Sequence, residues 1–257
     1  MKNKILEILY DAGIKNTGFC DYALIKEHLL PCRAISRIPE KASSVIICAF
    51  PYKVKEQRAD KISRYAAVPD YHEIVMRYLE KAAEKLKAVF PDNRFECFCD
   101  NSPVPEVFCA AAAGLGVKGD NGLLITEEYG SWVFLGEIVT DITVESENKY
   151  CECLHCSACE RACPKFRYKT DCLSQVSQKK RDLSEIEKTA LIENSIIWGC
   201  DICAEVCPMN RDVKIEPLPE FIADYRNCYQ INEDIKGRAY AWRGEKVIKR
   251  NFELLED

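Results

Sequence analysis

The sequence predicts a mixed α/β domain followed by a smaller, cysteine-rich domain. Helical and strand-like apolar patterns alternate over the first 150 of the 257 residues, which is the order expected of a layered α/β domain. Nine of the sixteen cysteines fall between residues 151 and 207. The chain is 47% hydrophobic, and a chain of this length buries roughly three-quarters of its unfolded surface, enough for one or two domains. We therefore place a domain boundary near residue 150.

Short apolar runs define the first elements of the α/β domain. Apolar side chains between Ile5 and Leu9 predict an amphipathic helix that Gly13 ends. A continuous apolar run predicts a buried strand over residues 45–50, which Pro51 stops. A further strand is predicted over residues 95–99.

The most regular helix lies between these strands. Charged side chains occupy its opposite face, and its apolar face carries Ile74, Val75, Tyr78, Leu79, Ala82, Leu86 and Val89. After the second strand, Ser102 is predicted as the N-cap of a short helix, because proline follows it at the first helical position. That helix should include residues 107–113 and end at Gly114.

The remaining elements are a hairpin, a strand and a capped helix. Residues 123–126 and 132–135 are predicted to pair as a hairpin, with residues 138–144 as a further strand. In the cysteine-rich part, Ser184 and Glu187 have the spacing of a capping box that opens a helix.

Charge and targeting features exclude several classes of protein. Lys and Arg number 36 against 41 for Asp and Glu, which gives a formal charge of -5 and no global attraction to nucleic acid or an anionic membrane. No stretch approaches the roughly 18 apolar residues of a membrane span, and the N-terminus has no secretion-type cleavage site. We expect a cytoplasmic protein, whose cysteines bind metal or perform redox chemistry rather than form disulfides.

The cysteines form two related half-motifs. The first has the spacing C-x2-C-x2-C-x3-C-P and consists of Cys153, Cys156, Cys159 and Cys163, followed by Pro164. This run is typical of bacterial two-cluster ferredoxins. The second half has the spacing C-x2-C-x3-C-P and consists of Cys200, Cys203 and Cys207, with Cys172 between the halves. Eight thiolates are the number required by two 4Fe-4S clusters.

In two-cluster ferredoxins the fourth cysteine of a run serves the other cluster. On that basis the first cluster is predicted on Cys153, Cys156, Cys159 and Cys207, and the second on Cys163, Cys172, Cys200 and Cys203. Cys151 is an alternative ligand, and His155 is expected to have a surface role. Structural zinc is the competing interpretation, but a tetrahedral site closes with four ligands and leaves four cysteines unused. The scattered cysteines are expected to be small buried hydrophobes.

A glycine-rich segment suggests a ligand site. Residues 114–119 fit the pattern G-x-G-x-x-G, but a dinucleotide fingerprint needs a strand before it and a helix after it. Here a helical segment precedes and a strand-like segment follows. The preferred interpretation is a loop whose backbone approaches a flat or bulky ligand.

The chain resembles the epoxyqueuosine reductase family over nearly its whole length. The two cysteine half-motifs, residues 103–121 and residues 129–137 carry most of the resemblance. Shorter stretches add to it: Arg64-Tyr65-Ala66, Asp70-Tyr71-His72, Cys99-Asp100, and Trp242-Arg243-Gly244 with Lys246, Arg250 and Asn251.

The resemblance implies a fold, cofactors and a reaction. The family is similar to reductive dehalogenases, in which a cobalamin-binding α/β domain adjoins a two-cluster ferredoxin-like domain. It implies that electrons pass from the clusters to cobalt, and that the epoxide of epoxyqueuosine in tRNA, or a related substrate, is reduced to an alkene. The implied partners are a reduced ferredoxin- or flavodoxin-type electron donor and tRNA. The alternative function is a two-cluster electron-transfer paralogue without cobalamin.

The resemblance also implies site residues. Asp100 matches the proton-donating aspartate of the family, and it follows a predicted strand, where open α/β sheets bind ligands. Helix capping is the alternative role for Asp100, and His72 is expected to support a neighbouring residue. The implied cofactor-binding residues are Gly114, Gly116, Gly119, Asn121, Tyr65, Asp70 and Tyr71.

Three domains follow from these expectations. Residues 1–150 form the reductase domain, residues 151–225 the two-cluster domain, and residues 226–257 a basic segment that packs on the core. Family members usually continue into a helical-repeat extension, so we expect a short form. Two interpretations of the basic segment stay open, phosphate contact and a solvated helix face; its cations are Lys236, Arg238, Arg243, Lys246, Lys249 and Arg250.

Overall fold

The computed structural model describes residues 1–55, 61–146 and 152–256. Two compact units are present. Unit 1 comprises Met1–Pro51 and His72–His155, and unit 2 comprises Tyr52–Tyr71 and Cys156–Asp257. The functional domain boundaries at residues 150 and 225 stay predictions.

The elements alternate along the chain as an α/β protein requires. The strands are β1 (Asn16–Asp21), β2 (Ser44–Pro51), β3 (Phe95–Phe98), β4 (Val117–Lys118), β5 (Leu124–Ile125) and β6 (Val133–Thr140). The helices before residue 150 are α1 (Lys2–Ala12), α2 (Tyr22–Ile25), α3 (Arg64–Ala67), α4 (Tyr71–Val89) and α5 (Glu106–Ala112). The later helices are α6 (Ala158–Ala162), α7 (Pro164–Tyr168), α8 (Leu173–Ser177), α9 (Glu185–Glu193), α10 (Ile202–Glu205), α11 (Pro219–Ala223) and α12 (Glu245–Glu256). None of the helices in the described residues is long and apolar enough to cross a membrane.

A four-stranded sheet with the order β1-β2-β6-β3 forms the centre of unit 1. All three strand pairs are antiparallel. Helix α4 packs closely on β6, because a Cβ at Gly136 would lie 2.7 Å from Val75 Cγ1 and 2.8 Å from Leu79 Cδ1. Helix α5 contacts β1, β2 and β6. The predicted α/β fold class is confirmed, and β2 is buried at every position because helices pack against the sheet.

Several predicted elements are confirmed. Helix α1 ends at Gly13, whose φ of 98° lies in the left-handed region that glycine favours. Helix α4 buries Ile74, Val75 and Leu79, as the helical spacing predicts. The capping box at the start of α9 makes both of its reciprocal hydrogen bonds between Ser184 and Glu187.

The predicted hairpin is wrong. Strand β5 pairs with β4, with Val117 opposite Ile125, and residues 133–140 form one continuous strand rather than two. Thr126 and Gly130 exchange two backbone hydrogen bonds in a tight turn before that strand. The physical reason is that β6 pairs with β2 along its full length, which outweighs a short local hairpin. Strand β1 was not predicted because few of its residues are apolar.

The predicted start of α5 is also wrong. The helix begins at Glu106 after Pro105, and no side chain caps its N-terminus. The Ser102 hydroxyl instead accepts a hydrogen bond from the Val104 N–H and donates to Glu137. Helix capping is therefore excluded as the role of Asp100.

Two cations of the basic segment have internal partners. Arg238 is buried and pairs with Asp224 at 2.6 Å. Arg250 donates to the carbonyls of Lys179 and Arg181, each at 2.8 Å. The phosphate-contact interpretation is therefore wrong for the buried Arg238, whereas for Arg250 the structure shows only that part of its donor capacity is used within unit 2.

Glu187 is the centre of an ion cluster in unit 2. Its carboxylate accepts two hydrogen bonds from Arg181, at 2.8 and 2.9 Å, and one from Lys179 at 2.6 Å. The backbone N–H of Ser184 adds a bond at 2.9 Å. The hydrogen bonds from Arg181, opposed by burial and reinforced by Lys179, hold the pKa of Glu187 well below its ordinary value. Arg250 of α12 donates to the backbone carbonyls of Lys179 and Arg181, whose side chains bind Glu187 of α9. The segment before α9 is therefore hydrogen-bonded to both helices.

We expect Glu187→Gln to lower the free energy of unfolding by about 1–2 kcal/mol, because a buried carboxylate loses its charge-assisted hydrogen bonds to Lys179 and to the exposed Arg181. A lowered pKa in the folded state contributes stability above the unfolded pKa that is lost as pH falls. The difference between variant and wild type should therefore shrink below about pH 4, where the unfolded glutamate takes up its proton. Urea unfolding at several pH values measures it, with Glu185→Gln as control, since that side chain is 88% exposed. Equal stabilities at neutral pH would contradict the prediction.

Candidate active site and metal centre

Asp100 stands at the end of strand β3 in a turn that presents its carboxylate. Its backbone φ is 59°, in the left-handed region, which aspartate tolerates better than most residues. The His72 Nε2 atom lies 3.2 Å from Asp100 Oδ2. The Asp100 side chain is 59% exposed and that of His72 31% exposed. The pair is thus fixed at one side and open to a substrate at the other.

Hydrogen bonds within residues 99–106 hold the Asp100 turn. The Asn101 N–H donates to the Cys99 carbonyl at 2.7 Å, and the Ser102 N–H donates to the Asp100 carbonyl at 2.8 Å. The Asp100 N–H donates to Glu106 Oε1 at 3.1 Å. The left-handed conformation is therefore supported by the turn and by the carboxyl group at the start of α5.

Two glutamates behind this turn have raised pKa values. Burial, followed by the charge of Asp100, raises the pKa of Glu106 to about 7. Burial, followed by the charge of Glu106, raises the pKa of Glu137 well above its ordinary value. Glu137 is 0% exposed, and the Ser102 hydroxyl donates to its Oε1. Neutral and ionised carboxyl groups therefore coexist here near pH 7.

Asp100 and a supporting role for His72 were expected from the sequence, whereas Glu106 and Glu137 were not. The rule used to place it concerns parallel strands, and every pair in this sheet is antiparallel, so the rule does not apply. Its surroundings support it instead, through His72, Glu106 and the turn. The sequence did contain a pattern that could have identified Glu137, because it is a charged residue within an otherwise apolar strand.

The glycine loop has a packing reason for its composition. A Cβ at Gly116 would lie 2.3 Å from the Ile125 carbonyl oxygen, and one at Gly119 would lie 2.9 Å from Ile125 Cδ1. Gly114 has a φ of 76°. Gly116 and Gly119 thus allow close approach to strand β5, and Gly114 has a backbone conformation that favours glycine. The predicted contact of all three with a cofactor stays a prediction.

Asn121 is a polar residue of this loop whose side-chain amide is only partly hydrogen-bonded. Its Oδ1 accepts a hydrogen bond from the Leu123 N–H at 3.1 Å. Its Nδ2 is buried and has no hydrogen-bond partner among the described residues. A buried donor without an acceptor is costly, so this amide suits a ligand that offers an oxygen or nitrogen acceptor.

The predicted residues Tyr65, Asp70 and Tyr71 belong to unit 2. The Tyr65 hydroxyl accepts a hydrogen bond from Trp198 Nε1 at 3.0 Å, and burial raises the pKa of Tyr65 to about 12. The Asp70 N–H donates to the Gly237 carbonyl at 2.8 Å, and Tyr71 begins helix α4. Their place in cofactor binding stays a prediction.

Five thiols of unit 2 converge. Burial, followed by the charges of Cys172 and Cys163 and then of Asp201 and Cys159, raises the pKa of Cys203 to about 11. Burial raises the pKa of Cys200 to about 12, opposed by a backbone hydrogen bond from Ile202 and reinforced by the charges of Cys172 and Cys203. The four thiols predicted for the second cluster therefore interact with one another. Thiols in an apolar pocket ionise when metal compensates their charge, so this donor set suits an iron-sulfur cluster.

The cysteines assigned to the first cluster are divided between the units. Cys153 belongs to unit 1, and Cys156, Cys159 and Cys207 belong to unit 2, so this ligand set stays a prediction. Cys151 lies outside the described residues. His155 Nδ1 lies 2.9 Å from Asp120 Oδ1, and Asp120, Cys153 and His155 each offer a ligand atom within 4.8 Å of the others.

Comparison with known proteins gives one consistent family. Residues 33–101 match the family model described as epoxyqueuosine reductase QueG, DUF1730. The epoxyqueuosine reductase of Listeria monocytogenes is 31% identical over 98% of this chain and 79% of its own length. The chain belongs to the epoxyqueuosine reductase family. The resemblance inferred from the sequence is confirmed.

Two further similarities extend this result. The epoxyqueuosine reductase of Synechocystis is 36% identical over 69% of this chain, and the match covers 66% of that relative. A solved epoxyqueuosine reductase with an epoxyqueuosine-modified tRNA-Tyr stem loop superposes with a TM-score of 0.82. It is 24% identical, and the match covers 99% of this chain and 80% of that one. At this identity, the similarity shows that this member of the epoxyqueuosine reductase family shares the fold.

We expect Cys203→Ser to remove one of the two predicted clusters, because the predicted second ligand set loses one of its four thiolates. Iron and acid-labile sulfide should fall from about eight of each per chain to about four. Anaerobic reconstitution followed by iron and sulfide analysis measures this, and Cys228→Ser is the matched control outside both half-motifs. Undiminished iron in Cys203→Ser, or zinc in place of iron in the wild-type protein, would contradict the assignment.

Proposed function

We propose that this protein is an epoxyqueuosine reductase, which reduces the epoxide of epoxyqueuosine in tRNA to the alkene. Family membership carries the proposal, since the Listeria relative matches 98% of the chain at 31% identity. The solved family structure with a modified tRNA stem loop supports tRNA as the substrate class. The exposed Asp100 carboxylate, which is paired with His72, supports proton transfer to a substrate.

The reaction requires two electrons and two protons. Both carbon–oxygen bonds of the epoxide break, a carbon–carbon double bond forms, and the oxygen leaves as water. Asp100 donates one proton toward the departing oxygen, and general acid catalysis of this kind is worth about 10²–10⁴-fold in rate. His72 orients the Asp100 carboxyl group through the contact between Nε2 and Oδ2. Solvent restores the proton through the exposed side of Asp100.

Two 4Fe-4S clusters are proposed as cofactors, and they would supply one-electron redox centres. Cys163, Cys172, Cys200 and Cys203 form the better supported ligand set, because burial and then the charges of neighbouring thiols of this set raise the pKa values of Cys200 and Cys203. The first set is proposed from the half-motif spacing alone. A reduced ferredoxin- or flavodoxin-type protein remains the expected electron donor.

Cobalamin is proposed as the second cofactor. When bound, it supplies a strongly reducing metal centre at which electrons reach the substrate. The unsatisfied Asn121 amide fits the polar rim of such a ligand, and Gly116 and Gly119 keep the surrounding loop close to strand β5. Gly114 is a further proposed contact. Tyr65, Asp70 and Tyr71 are the further proposed contacts.

The second candidate function is electron transfer without cobalamin. The convergence of thiols in unit 2 favours it, since this feature requires no substrate site. Adding cobalamin to the anaerobically reconstituted protein separates the two functions. A bound corrinoid spectrum that changes on reduction supports the reductase, and an unbound corrinoid supports the electron-transfer protein.

We expect Asp100→Asn to retain cofactor and tRNA but to lose at least about 100-fold in turnover, because the amide cannot act as a general acid. Anaerobic single-turnover assays on epoxyqueuosine-containing tRNA, read by mass spectrometry of nucleosides, measure the loss. Asp92→Asn, an exposed residue after α4, is the matched control. Wild-type turnover in Asp100→Asn would remove Asp100 from the mechanism, and a wild-type protein that leaves the epoxide intact would overturn the function.

A further inference from the structure

A carboxyl group lies within the apolar face of the central sheet that packs on α5. Glu137 is opposite Ile47 in the β2–β6 register, two residues from the pair Val45 and Val139. Because side chains alternate between the faces of a strand, Glu137 lies on the same face as Ile47 and Val139. Both belong to the apolar cluster that α5 completes. An ionised, unpaired carboxylate in such a place is very costly.

The surroundings of Glu137 favour a carboxyl group that holds a proton. The Ser102 hydroxyl donates to Oε1. Oε2 is buried and has no hydrogen-bond partner among the described residues. Ionised Oε2 would be an unsatisfied charge, whereas a protonated carboxyl group removes that charge and relieves the repulsion with Glu106.

Glu106 links this buried group to Asp100. It interacts with Glu137 through its charge, and its Oε1 accepts the Asp100 N–H at 3.1 Å. The titratable groups that face the pair are Asp100 and His72 on the open side. On the same face of the sheet is the thiol of Cys109, whose pKa is raised by a hydrogen bond with Cys20 and by burial. The charge of Glu137 also reaches the buried thiols of Cys48 and Cys97 on the opposite face, whose pKa values burial raises. Of these groups only His72 can carry a positive charge, so two ionised glutamates here would repel each other.

We propose that Glu106 and Glu137 share one proton and are positioning residues for Asp100. In the working state Glu137 is neutral and Glu106 is ionised, so that Glu106 makes a charge-assisted hydrogen bond to the Asp100 N–H. That bond stabilises the left-handed turn in which Asp100 meets His72. This inference rests on the proposed function for the role of Asp100, but the shared proton is a separate property of the fold.

The proposal sets the direction of the pH dependence. Protonating Glu106 below about pH 7 removes the charge from the acceptor and weakens its bond to the Asp100 N–H. The Asp100 turn should therefore be held more firmly as pH rises through 7. Ionisation of Glu137 at higher pH would place two charges together and loosen the turn again.

Two spectroscopic readouts test the pair without turnover. Infrared spectra of the full-length, cluster-loaded protein at pH 8 should show a protonated carboxyl band that Glu137→Gln removes. The backbone amide of Asp100, labelled through 15N-aspartate and identified by its loss in Asp100→Asn, should titrate near pH 7 in the wild type and not in Glu106→Gln. Glu84→Gln, an exposed glutamate of α4, should leave both observations unchanged.

Turnover gives the third readout. Glu106→Gln should lower kcat about tenfold at pH 8 with KM nearly unchanged, since one charge-assisted hydrogen bond is replaced by a neutral one. The acidic limb of the kcat profile should disappear, and Glu106→Asp should restore part of it. Ser102→Ala, which removes the hydrogen-bond donor to Glu137, should shift the infrared band but retain it. If Glu137→Gln fails to fold, this shift assigns the band to Glu137.

The outcomes separate this inference from the proposed function. No protonated band at pH 8, a band that survives Glu137→Gln, or an Asp100 amide whose titration is the same in Glu106→Gln would overturn the inference. Failure of the wild-type protein to reduce epoxyqueuosine at any pH overturns the proposed function, and the two spectroscopic readouts then decide the shared proton by themselves.

Discussion

The pairing of β2 with β6 is the constraint on which the organisation of unit 1 depends. Eight consecutive residue pairs join the two strands, from Ser44 and Thr140 to Pro51 and Val133. This length fixes the register, and a slip of one residue would turn every side chain of β6 to the opposite face. Gly136 would then no longer admit α4, and Glu137 would leave the α5 face. The register thus places both the helix packing and the buried acid.

The candidate active site and the thiol centre use burial in the same way. An apolar environment disfavours the charged form of a carboxyl group or a thiol, which raises the pKa values of Glu137 and Cys203. A proton would remove this cost for the glutamate, and the proposed metal cluster would remove it for the thiols. The same physical cost therefore underlies the proposed shared proton in unit 1 and the proposed metal centre in unit 2.

Patterns of local spacing predicted what depends on neighbouring residues in the chain. The helix ending at Gly13, the apolar face of α4 and the capping box at Ser184 are set within a few residues, and the structure contains all three. The predicted hairpin failed because β6 is determined by a partner some ninety residues earlier. The Ser102 cap failed for the same reason, since its hydroxyl serves Glu137, 35 residues away.

The same distinction separates what could be predicted of the site. Asp100 was predicted through a family resemblance, and the cysteines through their spacing, because both leave a trace in short stretches of sequence. The pairing of Asp100 with His72 joins α4 to the end of β3, and the interaction of Glu106 with Glu137 joins α5 to β6. Each interaction depends on a helix packing next to a strand that is distant in the sequence. A residue that lies in a family motif, such as Asp100, can thus be recognised from the sequence, whereas the groups that hold it in position are specified by the fold and require the structure.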